Sequence, residues 1–374
     1  MRTPARLAGA CSLALAAGVL LAGPASASAG DRDGGAVFVQ NDSVSGNAII
    51  AYSRAADGPL RQAGTYPTGG LGGALDGAVV DHLASQGSVA LDRQHGLLYA
   101  VNAGSDTVTV FSVHGDSLAR RQVVSSGGAF PASIAVHGNV VYVLNARNGG
   151  SVQGYLRVGD ALIRIPAWRR SLGLDPTPTP EFTHTPGQVA FTPDGSKLIV
   201  TTKGASNAVD VFSVGLGGLS ATPTVTELPD AVPFAVSFDN HQHLVLTEAG
   251  PNAVATFSVG RNGTLTPIGR MATGQAGSCW VAVAGARFYA SNAGSGTLSG
   301  YTERRGGALV AIGNTATDPG TVDAAVTPDG RHLYVQTGAN GTVDGYRIDA
   351  DGSLTPVGSV TVPDAVGAEG IAAS

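Results

Sequence analysis

The sequence predicts an all-β protein: a seven-bladed β-propeller of four-stranded blades, closed by the C-terminal strand joining the N-terminal blade. Three observations carry this reading. A paired-strand unit, LLYAVNAGSDTVTVFSV at 97–113, returns with a period of roughly 43–46 residues, the length of one propeller blade. A short strand of small residues precedes each later copy, as the crowded centre of a ring requires. The first copy lacks such a strand, and the chain ends on one, Glu369-Gly370-Ile371-Ala372-Ala373.

Each element has a local reason. The repeated unit reads as strand, Asn/Gly turn, strand, because alternating apolar residues flank a cluster that favours tight reversal. Its copies are AVFVQNDSVSGNAIIAYS from Ala36, VVYVLNARNGGSVQGYL from Val140 and KLIVTTKGASNAVDVFSV from Lys197. Three more follow: HLVLTEAGPNAVATFSV from His243, RFYASNAGSGTLSGYTE from Arg287 and HLYVQTGANGTVDGYRI from His332. Inner strands are expected at 88–91, 133–136, 188–191, 235–238, 281–284 and 324–327. Turns such as Pro193-Asp194-Gly195 and Pro328-Asp329-Gly330 lead from them to the second strands. Outer strands open after a further Gly turn, as in TLTPIGRM at Thr264 and SLTPVGSV at Ser353. Closing the ring leaves few unpaired edges.

Strand alternation sorts the loops. Inter-blade connections and second-to-third turns share one face, and the Asp-Gly turns lie on the other. Two connections are long, 65–86 with GGLGGALDG and 165–186 with WRRSLGLDPTPTPEFTHTP. Both fall on the same face, where insertions in a repeat fold build the binding surface.

Residues 1–29 read as an export signal, with Arg2 and Arg6 before an apolar run at 7–21 and small residues around Ala27. Residues 30–374 are then a single propeller domain, expected outside the cell. Removing the two arginines leaves 20 basic groups against 27 acidic ones and no basic run, which argues against nucleic acid as a partner. No other apolar run reaches the ~20 residues that span a bilayer. Only Cys279 remains, so no disulfide framework is expected. A monomer with a small-molecule ligand, and no cofactor or metal, completes the expectation.

The repeats resemble the lactonase-type seven-bladed propellers and the broader YVTN-repeat proteins, a group that includes 6-phosphogluconolactonases and carboxymuconate-cyclising enzymes. The resemblance rests on LYxxN-type second strands, FSV third strands, GxLTPVG outer strands and the closing GAEGIAAS. Thr68 to Gly73, Ser85 to Ser88 and Ser278-Cys279-Trp280 are similar to a secreted actinobacterial branch. The resemblance implies lactone opening or a related cyclisation. Its catalytic stretch, Gly-Pro-Arg-His followed by an Asn-Glu turn, is represented here by Val232-Pro233-Phe234-Ala235 and Thr247-Glu248. The cation is replaced by Phe234 and the imidazole by Ala235. Where the cyclising enzymes carry a His before the preceding inner strand, this chain has Gly187, with His184 out of register.

Candidate site residues follow from position. Glu248 is the only carboxylate at its repeat position, where other blades carry Asn41, Asn102, Asn145, Thr202, Asn292 and Thr337. It is either a general base or a solvated turn residue. Lys203 on the same rim is a candidate electrophilic stabiliser. Asn292 offers an oxyanion donor, against a purely structural role in its turn. Trp280 opens an inner strand and could stack on a ring-shaped ligand or pack between blades. Phe234, Gln188, Asp323 and Glu369 also stand at or near inner-strand starts, facing the expected mouth. His241 and His243 have a metal-ligand spacing, but no further His lies near them and they read as a turn on the opposite face. Gly69 to Gly73, outside any strand-to-helix context, reads as a flexible lid rather than a phosphate loop. Cys279 reads as an inert filler, and no nucleophile elbow or Ser-His-Asp set is present. The two functions in contention are a lactonase-like enzyme with Glu248 as base and a non-catalytic extracellular binding or scaffold propeller.

Overall fold

The structure, a computed structural model, describes residues 34–304 and 307–374 together with Met1. The export signal expected at 1–29 lies, Met1 apart, outside them. Seven sheets form the blades. Blade 1 pairs Ala36–Gln40, Ala48–Arg54 and Leu60–Pro67 with the last strand of the chain, Ile371–Ala373. Blades 2 to 7 each run outward in chain order, from inner strands at Val89–Asp92, Pro131–His137, Gln188–Phe191, Pro233–Phe238, Ser278–Ala284 and Thr321–Val326. The closing strand is antiparallel to the first, with Ile371 opposite Val39 and Ala373 opposite Val37.

The energy that holds the ring lies between blades. The described residues form seven apolar clusters, one at each interface between neighbouring blades. The last of them brings Val37, Val39 and Tyr52 of blade 1 against Tyr334, Val343 and Val362 of blade 7, so the ring closes through packing as well as hydrogen bonds. Second strands are buried on both faces, as Leu97–Asn102 is throughout. Outer strands alternate with solvent, as along Leu60–Pro67.

One aromatic recurs on every third strand: Tyr52, Phe111, Tyr155, Phe212, Phe257, Tyr301 and Tyr346, all buried. In six blades the register of third and outer strands slips beside this residue, as between Val110 and Phe111 or between Gly300 and Tyr301. A bulge there adds local twist, which a blade needs to wedge against its neighbours. In blade 4 the outer position is instead divided between Gly218–Leu219 and Thr224–Glu227.

The second insertion is shorter than the sequence suggests. The outer strand of blade 3 runs Ala161–Ser171, so Trp168 belongs to a strand, where it stacks on Tyr142 with ring centroids 6.3 Å apart. The Gly69 to Gly73 stretch is not a lid. A Cβ on Gly72 would meet the Asp42 carbonyl oxygen at 1.9 Å, and one on Gly104 would meet that of Gly72 at 2.2 Å. These glycines permit close backbone contact, fastened by Gly72 N–H to Ser43 O and Gly104 N–H to Leu71 O.

Candidate functional site

The first insertion crosses the axis of the ring. Asp81 fixes its turn, Oδ1 accepting the N–H groups of Leu83 and Ala84 and Oδ2 that of Ser85, at 2.9–3.0 Å. From there the chain touches blade after blade. Ser85 Oγ lies 2.8 Å from Ala132 O of blade 3 and 2.7 Å from Glu369 Oε1 beside the closing strand, its single hydrogen serving one of them. Gln86 N–H donates to Gly187 O before blade 4. The Trp280 indole donates to Ser85 O at 2.6 Å. The Gln86 amide pairs with both backbone groups of Val281 in blade 6, at 2.9 and 3.1 Å. A six-residue segment reaches such distant blades only by lying across the opening. The inner strands record the same seal. Val89, Val189, Val236, Ala282 and Val322 are buried, whereas Ala90, Ala190, Ser237, Val283 and Ala324, further along the same strands, are partly exposed. Among the described residues, the ends of these inner strands away from the plug are therefore the more open to water.

Beside this plug lies a cavity of about 240 Å³. Val79, Val80, Phe182, Phe234, Trp280 and Asp81 are among its lining residues, with Cys279 at one side. Phe234 and Trp280 meet edge to face with centroids 5.0 Å apart. Burial pushes the Cys279 thiol up to about 12, so it is not a thiolate. Asp81 is the ionisable liner of consequence, and burial pushes its carboxyl well above the usual carboxylate range. Volume and walls suit a flat, neutral, ring-sized ligand.

Residues 197–368, from the second strand of blade 4 through blade 7, match the family model described as Lactonase, 7-bladed beta-propeller. No curated protein matches the chain by sequence. Among solved structures, a protein of Bacteroides uniformis provisionally named a 6-phosphogluconolactonase superposes with TM-score 0.74 at 17% identity, covering 91% of this chain and 100% of that one. The periplasmic gluconolactonase PpgL of Pseudomonas aeruginosa gives 0.70 at 18% identity, with 88% and 96% covered. A protein of Lactobacillus plantarum gives 0.73 at 21% identity, with 89% and 98% covered. At these identities the likeness is one of fold.

Against the lactonase reading, the predicted residues divide into three groups. Phe234, Trp280 and Lys203 meet at the plug. Lys203, buried in a left-handed backbone conformation, donates all three ammonium hydrogens: to Ala84 O and Phe182 O at 2.6 Å and to Thr185 Oγ1 at 2.9 Å. Its ammonium also lies 5.4 Å from the centroid of the Phe234 ring. It clamps the first insertion to the second and has no donor left for a substrate. Asp323 and Glu369 sit together under the plug. Both are buried with raised pKa values, Asp323 mainly through burial, Glu369 through burial and the charges of Asp323, Asp81 and Asp42. Asp42 is raised for the same reasons, burial first and Asp81 next.

The third group is spent elsewhere. Glu248 forms an ion pair with Arg270 across blade 5 and lines a separate, open cavity of about 300 Å³ at the blade 4–5 rim. It does not share a pocket with Trp280. Asn292 is fully buried, donating to Thr297 and Ser299 and accepting from Ser278, all within blade 6. Gln188 Oε1 accepts Val236 N–H at 2.6 Å and ties blade 4 to blade 5. Asp81 and Phe182 escaped the sequence reading, and Ser85 and Gln86 entered it only within a stretch that carries the resemblance, because nothing in an insertion with no repeat partner marks which residues turn inward.

Proposed function

We propose that the protein takes a small, neutral, cyclic ligand of the lactone class into the cavity beside the plug. The observation that carries this is the cavity itself: three aromatic rings and one buried carboxyl, Asp81, around a ring-sized space. The family match over 197–368, and the naming of one structural neighbour as a periplasmic gluconolactonase and of another, provisionally, as a 6-phosphogluconolactonase, support lactones as the class. A polyhydroxylated sugar lactone would find few partners on these walls, so a lactone with an apolar substituent fits better. If the ligand is turned over, Asp81 is the group positioned to move a proton at the ring, ahead of Glu248, whose carboxylate is held by Arg270. Residues 1–29 read as an export signal support action outside the cell on an unphosphorylated substrate.

A second reading, binding without turnover, is favoured by one observation. Asp81 already accepts three backbone N–H groups and Lys203 has no free donor. One experiment separates the two. The chain has two tryptophans, so a Trp168→Phe background isolates Trp280 emission for titration with alkyl-substituted and sugar lactones. Quenching by the alkyl lactones with ring opening, lowered at least 100-fold by Asp81→Asn and unchanged by Glu248→Gln, supports the enzyme. Quenching without ring opening supports the binder. No quenching by any lactone refutes both.

A further inference from the structure

On the opposite face, the turn between the inner and second strands of blade 5 gathers three ligand-type side chains from two blades. Asp239 Oδ1 accepts the backbone N–H groups of His241 and His243 at 2.9 and 2.7 Å. That fixes the carboxylate and leaves Oδ2 3.4 Å from His243 Nδ1. Glu303 ends the third strand of blade 6 and brings Oε1 to 3.0 Å and Oε2 to 3.1 Å from the same nitrogen. The ligand atoms of all three residues lie within 4.8 Å of one another. The side chains of Asp239 and Glu303 are 0% and 2% exposed, and that of His243 is 27% exposed. Among the described residues, Asp239 Oδ2 has no hydrogen-bond partner although it is buried.

One imidazole N–H cannot serve three carboxylate oxygens, and two buried carboxylates facing each other repel. Ligands at about 2.0–2.1 Å in a tetrahedral shell stand roughly 3.3 Å apart, and His243 Nδ1 lies 3.0–3.4 Å from the carboxylate oxygens here. A dication would also neutralise both carboxylates while leaving the imidazole neutral.

We propose that Asp239, His243 and Glu303 bind one divalent cation of the zinc class, through His243 Nδ1 and one oxygen of each carboxylate, with the fourth position left to solvent. The site joins blade 5 to blade 6 and lies apart from the cavity, so it stands or falls independently of the lactone reading. Its role is to brace the ring.

The test is a zinc titration of chelator-treated full-length protein by calorimetry, with thermal unfolding alongside. The expected result is one zinc per chain and a Tm raised by roughly 3–5 °C at a hundredfold excess over Kd. Cobalt in place of zinc should give the strong visible absorption of a four-coordinate site. Glu303→Gln and Asp239→Asn should each weaken binding at least tenfold. His243→Asn, at a more exposed position, provides the same comparison if a buried substitution impairs folding. Absence of stoichiometric binding by the wild type, or equal affinity in Glu303→Gln, overturns the proposal and leaves a histidine–carboxylate hydrogen-bonded cluster only.

Discussion

Lys203 illustrates how a residue type can suggest one chemistry and geometry impose another. A rare lysine on a binding rim suggests an electrophile, but its three donors are spent on two carbonyls and a hydroxyl that belong to the two insertions. Replacing it with Met would leave the buried Ala84 carbonyl and the partly buried Phe182 carbonyl unpaired and remove the cation nearest Asp81. The expected cost is about 3 kcal/mol in denaturant unfolding. Faster proteolysis within 172–186 should accompany it, because that loop loses its anchor. Loss of stability without faster cleavage there would mean the clamp acts elsewhere. Glu248 makes the complementary point. Its uniqueness among the repeats was legible, but its partner Arg270 lies one hairpin away, and no repeat pattern announces that pairing.

At the scale of elements, the strands were legible because their causes are local and repeated sevenfold. Alternation, Asn/Gly turns and the recurrent aromatic from Tyr52 to Tyr346 state the same instruction in every blade. The insertions occur once each, so no internal comparison distinguishes a lid from a plug. The glycines of 69–73 looked like freedom and proved to be close packing, Gly72 against the Asp42 backbone and Gly70 against the Asn102 side chain. The plug's hold on blade 6 can be measured through Gln86, whose amide satisfies both the N–H and the C=O of Val281. Gln86→Leu keeps the volume and removes both bonds, for an expected loss of about 2–4 kcal/mol. Hydrogen exchange at Val281 should accelerate while the outer strands keep their protection. Uniform acceleration across blade 6 would instead indicate that the blade, not the plug, had loosened.

For the whole molecule, four buried carboxyls and one buried lysine near the axis set an unusual pH response. Burial raises Asp42, Asp81, Asp323 and Glu369 above their ordinary values, Asp323 to about 6 and Asp81 to about 7. Between its unfolded and folded pKa such a carboxyl binds more protons when folded, so its contribution to stability declines as pH climbs from about 4 to about 7. Burial lowers Lys203, which acts in the opposite sense and restores stability only above neutrality. Carboxyls outweigh the lysine, so Tm should be several degrees higher at pH 5 than at pH 7. Glu369→Gln, which cannot ionise, should flatten that slope. A Tm that climbs steadily from pH 5 to pH 8 would contradict it.

Among the described residues, 81–86 lie across the axial hole, so the cavity at the rings of Phe234 and Trp280 is a blind one, and whatever reaches it arrives and departs by the same doorway. Traffic in such a dead end is shared. If a lactone is opened there, the hydroxy acid formed must back out past the next molecule. Turnover should then slow as product accumulates, with the leaving molecule competing directly against the arriving one.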